Sequence, residues 1–160
     1  MGVDKSDLVA KTQPEVTSGL TILLEQEAAM ERYLDLYLRS PGGTLALHLA
    51  ELHARRGQWE IAEDWFQTTL QHHPLSPEAM AGLVRSALAQ EHVQKAGLMA
   101  GQFLEAYPDH SELVVILARL EAENGRPTRE GLEGAKHALE RLPQSPWAHA
   151  QVAVVAWELG

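Results

Sequence analysis

The chain has 160 residues, 45% of them hydrophobic, with a formal net charge of −9 at pH 7. That length bounds it to one domain, the apolar content excludes wholesale disorder, and the acidity argues against a nucleic-acid groove, where a basic balance is expected. Having no cysteine, it has no disulfide framework, thiolate metal site or cysteine nucleophile, and no apolar run approaches the roughly 20 residues of a membrane span.

Residues 1–13 are polar and read as disordered, without the apolar core of a signal peptide. This opening fits a cytoplasmic protein if the chain is complete, and a periplasmic one if a signal segment has been removed. From Pro14 the pattern turns helical, with Leu20, Leu23, Leu24, Met30, Leu34 and Leu38 as an apolar stripe. Thr17-Ser18-Gly19 marks a candidate break within it, and Ser40-Pro41-Gly42-Gly43 ends it. Residues 14–41 therefore read as an N-terminal helical cap or a degenerate repeat, with a partner-binding arm as the alternative.

Pro41, Pro74, Pro108 and Pro143 follow one another at 33, 34 and 35 residues. Each ends a helical run and is followed by a polar turn and a new apolar run. A period near 34 residues with two helical segments per unit marks a helical repeat array. In the first unit Leu49, Ala50 and His53 share a helical face and Gly57 stops the helix. Trp59, Ala62, Phe66 and Leu70 mark a second helix, closed by Pro74. The second unit repeats the plan with Met80, Leu83, Val84 and Ala87, then Val93, Ala96, Ala100, Phe103 and Leu104. The third carries Val114, Leu117 and Ala118, then Ala135, Ala138 and Leu139. Ser76-Pro77-Glu78, His110-Ser111-Glu112 and Ser145-Pro146 supply helix-start signals.

This pattern resembles the tetratricopeptide repeat. Leu49-Ala50, Gly57, Trp59, Ala62, Phe66 and Pro74 carry the resemblance in the first unit. Leu83, Ala96 and Pro108 carry it in the second, and Leu117-Ala118, Gly125, Ala138 and Pro143 in the third. The departures are Glu91 in place of a turn glycine, Gly131 in place of a helix alanine, Val84 in place of a small residue, and one extra residue in the turn after Gly125. The resemblance implies an all-α fold, a right-handed superhelical solenoid of antiparallel helix pairs, with three repeats plus one further helix over residues 43–160.

That further helix, residues 148–159, is apolar nearly all round. Val152, Val155, Trp157 and Leu159 are expected to be covered, by a continuing array or by a second copy in a homodimer.

The resemblance also implies a concave side lined by the first helix of each pair. By alignment it would present His48 and Glu51, then Arg85 and Leu88, then Val115, Ile116 and Arg119, then Trp147 and Trp157. The same alignment places Leu47 and Arg55, then Ala81, Gly82 and Ala89, then Glu112 and Glu123, then Ala150, Gln151 and Val154 along that side. Arg85 and Arg119 hold equivalent positions and form either an arginine ladder for a carboxylate partner or ion pairs with nearby Glu51, Glu112 or Glu123. Ala81, Gly82, Val115 and Ile116 form either an apolar floor for a partner or packing within the repeats. The lysine and asparagine clamp that some members use for chaperone tails is absent, since Leu47, Glu51, Gly82, Glu112 and Ile116 stand at those places.

Eight histidines raise the question of a metal, but His72-His73 point apart on a helix and His48 and His53 are poorly spaced for one face. No zinc, calcium, phosphate-loop or nucleophile motif is present. Neither a metal, a cofactor nor an enzymatic activity is expected. The expected function is a protein-interaction scaffold taking a peptide or helix of a partner in its groove, alone or within a larger assembly protein. The layout is also similar to the small chaperones of type III secretion translocators, which shield apolar segments of a client.

Overall fold

The computed structural model describes residues 14–160, with side chains from residue 18 onward; the N-terminal stretch expected to be disordered lies outside the described residues. The fold is all-α, and no strand occurs among the described residues. The helices are α1 (Pro14–Arg39), α2 (Gly43–Arg55), α3 (Trp59–His72), α4 (Pro77–Ala89), α5 (Val93–Ala106), α6 (Ser111–Glu123), α7 (Arg129–Leu139) and α8 (Pro146–Leu159). Among the described residues no helix is long and apolar enough to cross a membrane. The chain divides into two compact units, one ending at Pro41 and the other running from Gly42 to Gly160.

The first unit contributes α1, a single helix of 26 residues. The candidate break at Thr17-Ser18-Gly19 does not occur. No proline interrupts that stretch, and one glycine costs a helix only about 1 kcal/mol, too little to break it.

The second unit has a helical-repeat-like architecture. Each helix packs on the next, and α2, α4, α6 and α8 also pack in succession, whereas the backbones of α3, α5 and α7 stay apart from one another, α3 and α5 meeting through the side chains of Glu63 and Lys95. The core follows that order as three clusters. Ala50, Ala62, Phe66, Ala79 and Leu83 join α2, α3 and α4. Met80, Val84, Ala96, Ala100, Leu113 and Ile116 join α4, α5 and α6. Val115, Ala118, Ala135, Ala138, Val152 and Val155 join α6, α7 and α8. Alanine dominates the contact positions, which lets helix axes come close while Phe66 and Leu113 fill the remaining space.

The turns inside each pair are built alike. Gly57, Glu91 and Gly125 adopt φ of 73°, 61° and 69°. In each, the amide of that residue bonds the carbonyl three positions back, and the next amide reaches five positions back, as in Gln58 N to His53 O at 3.0 Å, His92 N to Ala87 O at 2.9 Å and Arg126 N to Glu121 O at 2.9 Å. This left-handed closure satisfies the last carbonyls of the first helix. Glu91 thus takes the glycine conformation without being glycine. The third unit, from Ser111 to Pro146, is one residue longer than the two before it, and α7 begins four residues after Gly125, where α3 and α5 begin two after Gly57 and Glu91. α7 is also shorter, with 11 residues against 14. Thr128 caps it, its Oγ1 accepting from Gly131 N at 2.9 Å. A methyl on Gly131 would lie 2.9 Å from that hydroxyl, which accounts for glycine there.

α4, α6 and α8 start on side-chain caps at equivalent places. Ser76 Oγ accepts from Ala79 N at 3.2 Å and Ser145 Oγ from Ala148 N at 3.2 Å. Between them the cap is His110, whose Nδ1 accepts from Leu113 N at 3.4 Å; Ser111 is the first residue inside the helix, where Pro77 and Pro146 stand in the neighbouring units. Contacts of about one period tie successive loops: Tyr107 Oη donates to Leu75 O at 2.7 Å, and Arg141 Nη1 donates to Asp109 O at 3.3 Å.

Candidate functional site: a groove across α4, α6 and α8

Arg85, Leu88 and Ala89 lie on the last turns of α4, Glu112 on the first turn of α6, and Trp147 on the first turn of α8. Together with Trp59, Leu142 and Ser145 they line a groove of about 460 Å³. Trp147 is 42% exposed. The walls are apolar and aromatic, and the charges at the base compensate each other: Arg85 Nε lies 3.2 Å from Glu112 Oε1.

Five of the residues expected along the partner-facing side, Arg85, Leu88, Ala89, Glu112 and Trp147, therefore converge on one groove. Others are placed differently. Val115 and Ile116 are 0% and 2% exposed, and Val115 belongs to the α6–α7–α8 core while Ile116 belongs to the α4–α5–α6 core. Ala81 is 2% exposed, and Gly82 is pressed against Phe66, whose Cε1 would lie 2.3 Å from a methyl placed there. The floor expected from these four residues is internal packing and offers no surface. His48, Glu51 and Arg119 are half-buried on α2 and α6 outside the groove lining. Trp157 is 83% exposed on the far part of α8.

The arginine ladder is likewise engaged internally. Arg119 Nη2 lies 2.6 Å from Glu123 Oε1, and its Nε donates to Gln151 Oε1 at 3.2 Å on α8. Arg85 and Arg119 each hold a carboxylate of this chain, so neither presents an unpaired guanidinium to a carboxylate partner.

Trp59 is the lining residue that the sequence assigned to packing alone. Its place at the first position of α3, just after a turn, leaves its ring half-covered. A large aromatic at a helix start, where neighbours lie on one side only, is the signal that could have found it.

A second hollow of about 630 Å³ lies between the start of α2, the end of α3 and the start of α4. Of the residues expected to meet a partner it contains only Leu47. The titratable cluster nearest the turns is structural: Glu63, 8% exposed, is bonded by Lys95 and by Gln90 Nε2 at 2.8 Å. Burial pushes the Glu63 carboxyl up, but the hydrogen bonds from Lys95 and Gln90 and the charges of Lys95 and His92 outweigh it and hold it below the usual 4.5. Among the described residues no group of three histidines and carboxylates is placed to hold a metal ion.

No family model matches the chain, and no curated protein matches it in sequence.

Proposed function

We propose that the protein is a tetratricopeptide-type repeat scaffold, a solenoid of helix pairs that holds a segment of a partner protein in the groove between Trp59 and Trp147. The observation that carries this reading is the convergence of Arg85 and Leu88, from the second repeat unit, and Trp147, from the last helix, on one aromatic-walled groove. A groove built on packed helices is preformed, so binding costs little ordering of the receptor. Because Glu112 already neutralises Arg85, the favoured occupant is an apolar or amphipathic segment whose side chain inserts between the two tryptophans over Leu88 and Ala89. A terminal carboxylate is disfavoured, since it would have to displace Glu112.

Selection of peptides from a random displayed library against the folded chain tests this. The expected result is a set of apolar-centred peptides that lose at least about tenfold in affinity against Ala89→Glu and Trp59→Ala. Peptides indifferent to both substitutions, or dependent on a free carboxylate, would overturn it.

A further inference from the structure

His110 is built into the fold differently from the caps beside it. Ser76 and Ser145 each use one hydroxyl oxygen to hold the start of α4 and of α8. His110 uses both ring nitrogens. Nδ1 meets Leu113 N at 3.4 Å, and Nε2 meets the carbonyl of Pro77, the first residue of α4, at 3.0 Å. An amide only donates and a carbonyl only accepts, so these partners fix the tautomer, with the proton on Nε2 and a lone pair on Nδ1. One ring thus caps α6 and ties it to α4.

That arrangement exists only for the neutral ring. A second proton would sit on Nδ1, where the amide of Leu113 now points, and two donors would face each other. Leu113 is 0% exposed, so water does not replace the lost bond, and a buried donor without a partner is costly. The new charge would also stand at the N-terminus of α6, where the helix dipole opposes a cation. The charged and titratable groups of the elements that meet here are Glu78 on α4, Tyr107 after α5, Asp109 and Glu112 on either side of the ring in sequence, and Arg141 after α7. Glu78 takes a hydrogen bond from Ser76, Tyr107 donates to Leu75 O, Arg141 donates to Asp109 O, and Glu112 is neutralised by Arg85. Among the described residues none of them bonds either ring nitrogen. The Asp109 carboxylate favours a cation here, but Asp109 is exposed and its field is screened by water.

The consequence reaches the groove. Glu112 lines it and stands on the first turn of α6, two places after His110. A first turn that loses its cap frays, and Glu112 moves with it. We propose that His110 is a pH-sensitive strut that holds the first turn of α6, and with it the Arg85–Glu112 base of the groove, at neutral pH and releases both on acidification. Its effect on the groove rests on the proposed binding function; its effect on α6 does not.

The test is residue-resolved hydrogen exchange by NMR on the ligand-free chain at about pH 7.5 and about pH 5, which span the range in which imidazole titrates. Each rate is divided by that of an unstructured peptide at the same pH. The lower value lies above the range in which Glu63 loses its charge. The expected result is that protection of the Leu113 amide falls at least about tenfold in acid, while the amides of Ala79 and Ala148, held by serine, keep theirs. His110→Ser installs the cap used at the two equivalent places and should abolish the pH dependence at Leu113. If that variant does not fold, the comparison of the three amides within the native chain still decides. Equal loss at all three, no loss at Leu113, or a ring spectrum with the proton on Nδ1 at neutral pH would each overturn the proposal. In the groove, end-capped peptides without titratable side chains, selected at neutral pH, should bind the native chain at least about threefold more weakly at pH 5 and bind His110→Ser equally at both values. Indifference to pH in the native chain would overturn the link to the groove. Peptides insensitive to Ala89→Glu and Trp59→Ala would overturn the groove instead, and the exchange at Leu113 would still judge the strut.

Discussion

Glu91 is the residue at which local strain is most plainly carried. Its φ of 61° is a conformation that costs a side-chain-bearing residue on the order of 1 kcal/mol. The chain tolerates it because the paired bonds of the turn close the end of α4. Glu91→Gly is expected to stabilise the protein by about 0.5–1 kcal/mol, part of the relief being offset by the looser unfolded chain; urea denaturation would show it as a higher midpoint at unchanged slope. Gly82 is the opposite case. Phe66 occupies the space of its missing methyl, so Gly82→Ala should cost about 1–3 kcal/mol by overpacking, and Phe66→Leu in the same chain should recover part of that loss. Glu63 gives the pH dependence. Its folded-state pKa lies below the unfolded one, so its contribution is present above about pH 4.5 and fades as the pH falls through the folded value. The stability difference between the protein and Glu63→Gln is expected to shrink on acidification below that point, measured by thermal unfolding across a pH series.

At the scale of the helix, much was legible in the sequence. The prolines and the serine caps at Ser76 and Ser145 placed helix starts and ends, and Gly57 and Gly125 placed two of the three tight turns. The third, at Glu91, looked like a departure because identity alone does not reveal that a glutamate has been forced into a glycine conformation by the bonds around it. Which apolar residues would face a partner was less legible. A first helix in such an array has two apolar flanks, one toward the groove and one toward the following pair, and spacing cannot tell them apart. Val115 and Ile116 therefore read as surface and lie in the core. Arg85 was more legible: an ion pair with Glu112, although on another helix, was one of the two readings its position allowed, and it is the one found. Capping supplies the prediction at this scale. Thr128→Ala removes the hydroxyl that accepts from Gly131 N and should cost about 1 kcal/mol. The loss should appear first as faster amide exchange at the start of α7.

Across the second unit, the buried residues of each core cluster come from three consecutive helices, with Leu70, Met99 and Phe103 packing on the first two clusters from the adjoining helix. Stability in such a chain is close to a sum of neighbour terms. Damage is therefore expected to remain local: hydrogen exchange of Gly82→Ala should quicken in α3 and α4 and leave α7 and α8 nearly unchanged. Uniform acceleration throughout the unit would show that it opens as a single cooperative body instead.

The widened third turn bears on how this chain can be altered. The bonds that close α6 are complete by Arg126, and the cap that starts α7 begins at Thr128; Pro127 between them belongs to neither. Added residues there would lengthen a loop that has already been lengthened once, and doubling a loop costs only about 0.6 kcal/mol. A tag or foreign epitope spliced beside Pro127 should leave both flanking helices in register, whereas the same graft between Gly57 and Gln58 would separate the turn from the helix it launches.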